Sequence, residues 1–238
     1  MTDIAIVDYG MGNLRSVSKA LEHVAPTASI VITDDPEVVR KAGRVVVPGQ
    51  GAMPDCLREL DKRGLRSAVR YAAMSKPFLG ICIGLQMLCD SSEEGNVEGL
   101  GIVAGTVRRF PSTSASDSSG QRFKVPHMGW NQVHQAIEHP LWKNIPSDAR
   151  FYFVHSYYVE TTNPESTAAT THYPFSFTSA VAKDNIFAVQ FHPEKSHDAG
   201  LTLLNNFVRW EPFQFQEGIV KSTRDLFPPL TSKLTSTL

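Results

Sequence analysis

The chain has 238 residues, 42% of them hydrophobic, and 23 Lys and Arg against 24 Asp and Glu give a net charge of −1. That length and hydrophobic share suit one sizeable core, and the scattered basic residues exclude the electrostatic footprint of a nucleic-acid binder or a polybasic membrane anchor. Three cysteines make no disulfide framework and no signal-like or membrane-length apolar run stands at the N-terminus, so a reducing cytoplasm is the expected location.

In chain order, short apolar runs at Ile4–Val7, Ser29–Ile32, Arg44–Val47 and Phe78–Ile81 predict strands. Helical patterns lie between and after them: Leu14–Val24, Pro36–Lys41, Asp55–Ala73 broken near Gly64, and Ile83–Ser91. This alternation is the βαβ rhythm of a parallel sheet. After Gly95 the spacing becomes hairpin-like, with strands expected at Ile102–Phe110, Trp130–His134, Phe151–Glu160, Thr167–Tyr173 and Phe175–Ala182. An apolar strand at Ile186–Val189 follows, and Leu201–Trp210 reads as a closing amphipathic helix with Leu201, Leu204 and Val208 at core-like spacing. The expectation is an α/β fold: a single domain over residues 1–210 with a mixed, mainly parallel central sheet flanked by helices. Two segments fall outside it. Ser112–Gly120 has too little to bury and reads as a flexible surface loop. Residues 211–238, with Pro228-Pro229 and a Ser/Thr-rich end, read as a poorly ordered extension of unknown role, and a contact with a partner is the lesser option.

The chemistry starts at Gly80-Ile81-Cys82-Ile83-Gly84, where an apolar strand runs into a cysteine and then into a predicted helix. Glycines two positions either side of Cys82 allow strand and helix to pack closely around a strained turn, which presents a nucleophile at a helix N-terminus. Unpaired N–H groups there favour thiolate and can receive charge from a substrate oxygen. A buried structural cysteine is an equal alternative on this motif alone. Gln190-Phe191-His192-Pro193-Glu194 tips the balance, because it ends a predicted strand and sets His192 and Glu194 two residues apart. In an extended segment those side chains share one side, giving a base and its orienting acid. Cys82, His192 and Glu194 together form a constellation for acyl transfer through a thioester.

On these motifs the chain resembles the class I, triad-type glutamine amidotransferases over roughly residues 1–210. Three further stretches, Val7–Asn13, Pro126–Asn131 and His192–Ser196, resemble the histidine-pathway branch of that family. The resemblance implies glutamine as the small-molecule substrate, no cofactor, no nucleic acid or membrane partner, and a heterodimer with a separate (βα)8-barrel cyclase that consumes the ammonia. Pro48-Gly49-Gln50-Gly51 could be an ordinary strand-ending turn, but the resemblance makes Gly49, Gln50 and Gly51 the oxyanion loop, with the N–H of Ile83 as second donor. Gln50 stands where many family members have a small apolar residue, and a backbone donor works with any side chain.

Gln86 lies four residues after Cys82, one helical turn on, and Glu94 lies twelve after it. The resemblance implies that both contact glutamine, Glu94 through the α-ammonium, although Glu93 competes for that role. Ser156 and Tyr157 match a stretch whose backbone holds the α-carboxylate, with a plain aromatic strand as the alternative. Asn13, His127, Trp130, Asn131 and Lys195 are expected to face the partner. Cys56 and Cys89 read as packing residues, His23, His134, His139 and His172 as surface residues, and no zinc-like spacing suggests a metal. Three other functions compete: the glutaminase of a different ammonia-channelling synthase, a cysteine peptidase-like hydrolase, and a non-catalytic binding module.

Overall fold

The computed structural model describes residues 2–111 and 124–212. The expected loop over Ser112–Gly120 lies outside the described residues, as does the extension beyond Pro212.

The first half follows the βαβ rhythm. Strand β1 (Ile4–Val7) is buried throughout, and helix α1 (Leu14–Val24) starts at Asn13, whose side-chain oxygen accepts the Ser16 N–H. Strand β2 (Ile30–Thr33) leads to helix α2 (Pro36–Lys41), capped by Asp35 and entered through Pro36 at its first position. Strand β3 (Arg44–Gly49) precedes helices α3 (Met53–Lys62) and α4 (Arg66–Ser75), separated at Gly64 as the sequence predicts. Strand β4 (Phe78–Cys82) is buried along its length, and α5 (Ile83–Gln86) follows it directly.

The second half supplies β5 (Cys89–Ser92), β6 (Val97–Glu98), β7 (Val103–Arg109), β8 (His127–Gln135), β9 (Ala149–His155) and β10 (Tyr157–Thr161). Strands β11 (Thr167–His172), β12 (Ser176–Lys183) and β13 (Ile186–Val189) complete the sheet, and α6 (His197–Arg209) closes the fold. All belong to one mixed 13-stranded sheet running β2-β1-β3-β4-β13-β12-β10-β7-β5-β6, with β11, β8 and β9 branching from β12. Pairing is parallel from β2 to β13 and again between β5 and β7; the other pairs are antiparallel. The parallel character is therefore concentrated in five neighbouring strands, three of which, β3, β4 and β13, carry the site. Helix α1 packs on α6 and α2 on α4, and α3 touches both α4 and α5.

Four expectations change. The helix foreseen over Ile83–Ser91 is a single turn ending at Gln86, because Cys89–Ser92 leaves it to pair with β7. Cys89 is still a buried packing residue, on a strand rather than two helical turns along. The run Phe151–Glu160 is two strands interrupted at Ser156, one pairing with β8 and the other with β7 and β12. The closing helix starts four residues earlier, at His197, and buries Leu203, Leu204 and Phe207 while Leu201 and Val208 stay partly exposed. Of the supposed surface histidines, His139 packs its ring on Phe187 and Trp210, and burial lowers its pKa to about 4.

Candidate active site

The register aligns the carboxyl ends of three strands, with Pro48 beside Ile81, Gly49 beside Cys82, and Val189 beside Ile81. Crevices outside strand carboxyl ends are where open parallel sheets bind ligands. A cavity of about 300 Å³ sits there, lined by Gln50, Gly51, Cys82, Gln86, Glu94 and His192, with the Ile83, Ser156 and Tyr157 positions also on its wall. That size takes a small, amino-acid-like molecule.

Cys82 sits on the expected elbow. Its φ of 56° and ψ of −109° are strained for a residue with a side chain, at a cost of about 1–3 kcal/mol. Close packing holds it there: a Cβ on Gly84 would lie 1.9 Å from the Val47 carbonyl oxygen, and one on Gly80 would lie 2.8 Å from that of Gly84. Only hydrogen fits at both positions. The sulfur is reached through a 3% exposed residue.

His192 and Glu194 meet as predicted, but by a different route. Instead of an extended run, Pro193–Lys195 forms a 3-10 turn with Pro193 at its first position, which folds Glu194 back under the ring. His192 Nδ1 donates to Glu194 Oε1 at 2.8 Å, with the two side chains only 4% and 1% exposed. The carboxylate fixes the tautomer, leaving Nε2 on the Cys82 side. Among the described residues Nε2 makes no hydrogen bond, yet the Cys82 sulfur is near enough to act on it electrostatically. Burial pushes His192 down, and Cys82 and Glu194 outweigh it, raising the group to about 9. The turn is clamped to β9 by the His192 N–H on the Tyr152 carbonyl and by the Tyr152 N–H on the Ser196 hydroxyl, which itself donates to the His192 carbonyl.

Around this centre, Glu94 rather than Glu93 reaches the cavity. Glu93 is tied outward to Arg108 and the Arg109 N–H, which lower its pKa, whereas Glu94 Oε2 accepts the Met53 N–H at 2.7 Å. Glu94 thus caps α3, since Ala52, at the N-cap position before it, provides no side-chain cap. Gly51, with φ of 99°, precedes that helix, so the candidate oxyanion loop is held between β3 and a helix start anchored by Glu94. The Tyr9 hydroxyl donates to the Pro48 carbonyl at 2.7 Å and touches the space a Gly49 Cβ would need. Gln86 Nε2 donates to the Tyr157 carbonyl and to Gln190 Oε1. Burial raises Cys56 to about 11 and Cys89 to about 12, so both stay thiols.

The residues expected at a partner surface divide. Trp130 is 39% exposed and stacks on His197, Lys195 and Asn13 are partly exposed, and Asn131 bonds the His172 carbonyl. His127 is the exception. It is 3% exposed, stacked between Phe153 and Tyr173 and hydrogen-bonded to His155, so its ring cannot face a partner directly. Residues the sequence reading left without a role are Tyr9, His155 and Gln190. Gln190 had a usable signal, since it stands two before His192 at the same strand end.

Residues 5–210 match the family model for glutamine amidotransferase class-I. A protein of Nitrosospira multiformis, imidazole glycerol phosphate synthase subunit HisH, is 77% identical over 212 residues, which is 89% of this chain and all of the relative. The protein of the same name from Nitrosomonas europaea is 63% identical over the same coverage. Among solved structures, a glutamine amidotransferase superposes with a TM-score of 0.64 at 16% identity, covering 87% of this chain and 99% of that one. A chain of PurLQS from Thermotoga maritima gives 0.61 at 19% identity, covering 88% and 99%. At these identities the solved structures bear on the fold alone.

Proposed function

Because this chain belongs to the class I glutamine amidotransferases, we propose that it is the glutaminase subunit of an imidazole glycerol phosphate synthase. It hydrolyses glutamine to glutamate and ammonia, and a separate cyclase subunit of (βα)8-barrel fold uses that ammonia to make imidazole glycerol phosphate and aminoimidazole carboxamide ribotide in histidine biosynthesis. The observation that carries the reading is the meeting of Cys82, on its strained elbow, with the His192–Glu194 pair at the carboxyl ends of β4 and β13. A cytoplasmic location belongs to the same reading, supported by three cysteines that are all free.

In the mechanism, His192 Nε2 takes the Cys82 proton and the sulfur attacks the side-chain amide carbon of glutamine. The resulting oxyanion is held by backbone N–H groups of the Gly49–Gly51 loop and of Ile83. His192 returns the proton to the amide nitrogen, the C–N bond breaks, and ammonia leaves a glutamyl thioester on Cys82. His192 then takes a proton from water, whose oxygen attacks the thioester, and glutamate departs as the thiol is re-formed. Glu194 holds the imidazole in its productive tautomer throughout. Glu94 receives the α-ammonium of glutamine, Gln86 Oε1 offers a buried acceptor with no partner among the described residues, and the Ser156–Tyr157 backbone receives the α-carboxylate. Asn13, Trp130, Asn131 and Lys195 contact the cyclase.

Glutamate release from glutamine by the purified protein, alone and with the cyclase and its nucleotide substrate, tests this function. The expected result is release that requires Cys82 and rises with the loaded cyclase, and none from Cys82→Ala. Release that needs Cys82 but ignores the cyclase would move the chain to another synthase; release retained by Cys82→Ala would overturn the mechanism. Lys195→Glu is expected to weaken complex formation, and an unchanged complex with unchanged coupled activity would remove Lys195 from the interface.

A further inference from the structure

The sequence predicts a nine-residue helix from Ile83 to Ser91 behind Cys82, whose dipole would favour the thiolate, but α5 is one turn of four residues. A single turn carries little of a helix dipole. The Val154 carbonyl is unhelpful as well, since it lies 4.0 Å from Sγ and can only accept a hydrogen bond. A donor must come from elsewhere.

One is present, and its orientation is fixed by elimination. The Tyr157 carbonyl accepts only, so the Gln86 side-chain atom 3.2 Å from it is the NH2 group. That NH2 lies 3.0 Å from the Gln190 amide, so the Gln190 atom facing it is oxygen. The Gln190 NH2 group is thereby turned to the other side, where it stands 3.6 Å from Cys82 Sγ. Gln190 is completely buried and is not part of the cavity wall. Its side-chain amide is engaged at both ends, Oε1 by Gln86 and Nε2 by Cys82, which leaves the side chain little freedom.

We propose that Gln190 is a thiolate-holding residue: its side-chain N–H groups bind the Cys82 sulfur in the charged form, and Gln86 is a positioning residue that keeps that amide turned toward the sulfur. The proposal rests on the reading of Cys82 as nucleophile. A hydrogen bond to a charged acceptor is stronger than one to a neutral acceptor, so the Gln190 amide favours thiolate over thiol before any substrate binds. The link from the Tyr157 carbonyl through Gln86 and Gln190 to Cys82 also joins the segment proposed to hold the substrate carboxylate to the reacting atom. Three other titratable groups act on the same sulfur, His192, Cys56 from α3 and Tyr9 after β1, while Glu194 and His155 act on His192 and not on the sulfur. They are unchanged when Gln190 alone is replaced.

The test is the pH dependence of iodoacetamide alkylation at Cys82, followed by peptide mass mapping, for the full chain and for Gln190→Met. The expected result is a midpoint about one pH unit higher in the variant, hence roughly tenfold slower alkylation at pH 7. With the cyclase present, kcat for glutamate release falls while the KM for glutamine stays unchanged, since Gln190 does not line the cavity. An unchanged midpoint in a folded variant would overturn the proposal. If Gln190→Met does not fold, the unsubstituted protein decides: the side-chain NH2 resonances of Gln190 should shift with pH at the alkylation midpoint, and resonances that stay fixed would overturn it. Glutamate release by the unsubstituted chain tests the proposed function separately, because alkylation needs neither glutamine nor the cyclase.

Discussion

His192 is the residue whose electrostatics say most about the site. Raised to about 9 by Cys82 and Glu194 against the pull of burial, it is set to hold a proton near neutral pH. Replacing Glu194 by Gln keeps the shape and removes the charge that favours this state. Glutamate release is expected to drop roughly 10²–10⁴-fold yet stay above that of Cys82→Ala, since orientation is lost and the reacting groups remain. Glu94 has a double task, with Oε2 on the Met53 N–H and the rest of the carboxylate at the cavity. Glu94→Gln retains an acceptor for α3 and loses the charge for an ammonium, so steady-state kinetics should give a higher KM with kcat largely kept. Glu94→Ala loses the cap too, and urea unfolding should register a further loss of about 1 kcal/mol.

The elbow works because β3, β4 and α5 approach more closely than side chains allow. A methyl at Gly84 would have to occupy the space of the Val47 carbonyl, a rigid backbone group, so α5 must lift away from β3. Gly84→Ala is expected to destabilise the fold by about 3 kcal/mol or more and to abolish glutamate release even where the protein still folds, measured by urea denaturation and activity together. Asn185, at the turn into β13, is 1% exposed and donates to the Ala73 carbonyl at 2.9 Å, tying the end of α4 to the start of the strand that leads into Gln190 and His192. Asn185→Leu leaves buried carbonyls unpaired, and a loss of roughly 1–3 kcal/mol in the same measurement is the expected outcome.

Across the whole molecule, the buried histidines set a pH window. Burial lowers His127 and His139 to about 4, and burial with neighbouring His127 lowers His155 to about 3. Each is neutral in the fold and binds a proton once unfolded below its ordinary value of about 6.5, so their stabilisation is complete above that pH and fades as pH falls toward 4. His192 works in the opposite direction: its contribution is complete below about 6.5 and is lost as pH rises through about 9. Stability should therefore peak near neutral pH. Urea unfolding should show lower stability at pH 5 than at pH 7.5, by about 1–2 kcal/mol for each of His127, His139 and His155 less about 1 kcal/mol from His192, and the alkaline decline should flatten in Cys82→Ala. A curve flat from pH 5 to 7.5 would contradict the burial of these rings.

The sequence by itself determined the features that depend on neighbours along the chain. The βαβ rhythm of the first half, the break at Gly64 and the glycine-flanked elbow at Cys82 all follow from local sterics and periodicity, which a linear pattern records. His192 and Glu194 were legible for the same reason, although their meeting depends on a 3-10 turn and not on an extended strand. The tertiary structure decided what depends on residues distant in sequence. It ended α5 after one turn, because Cys89–Ser92 gains more by pairing with β7, and it split Phe151–Glu160 at Ser156, because the two halves find different neighbours. It turned His127 inward between two aromatic rings, selected Glu94 over Glu93 through the Met53 N–H, and brought Gln190 to the Cys82 sulfur across 108 residues of chain. Hydrogen bonds and burial of that kind are fixed by register and packing, which no local pattern encodes.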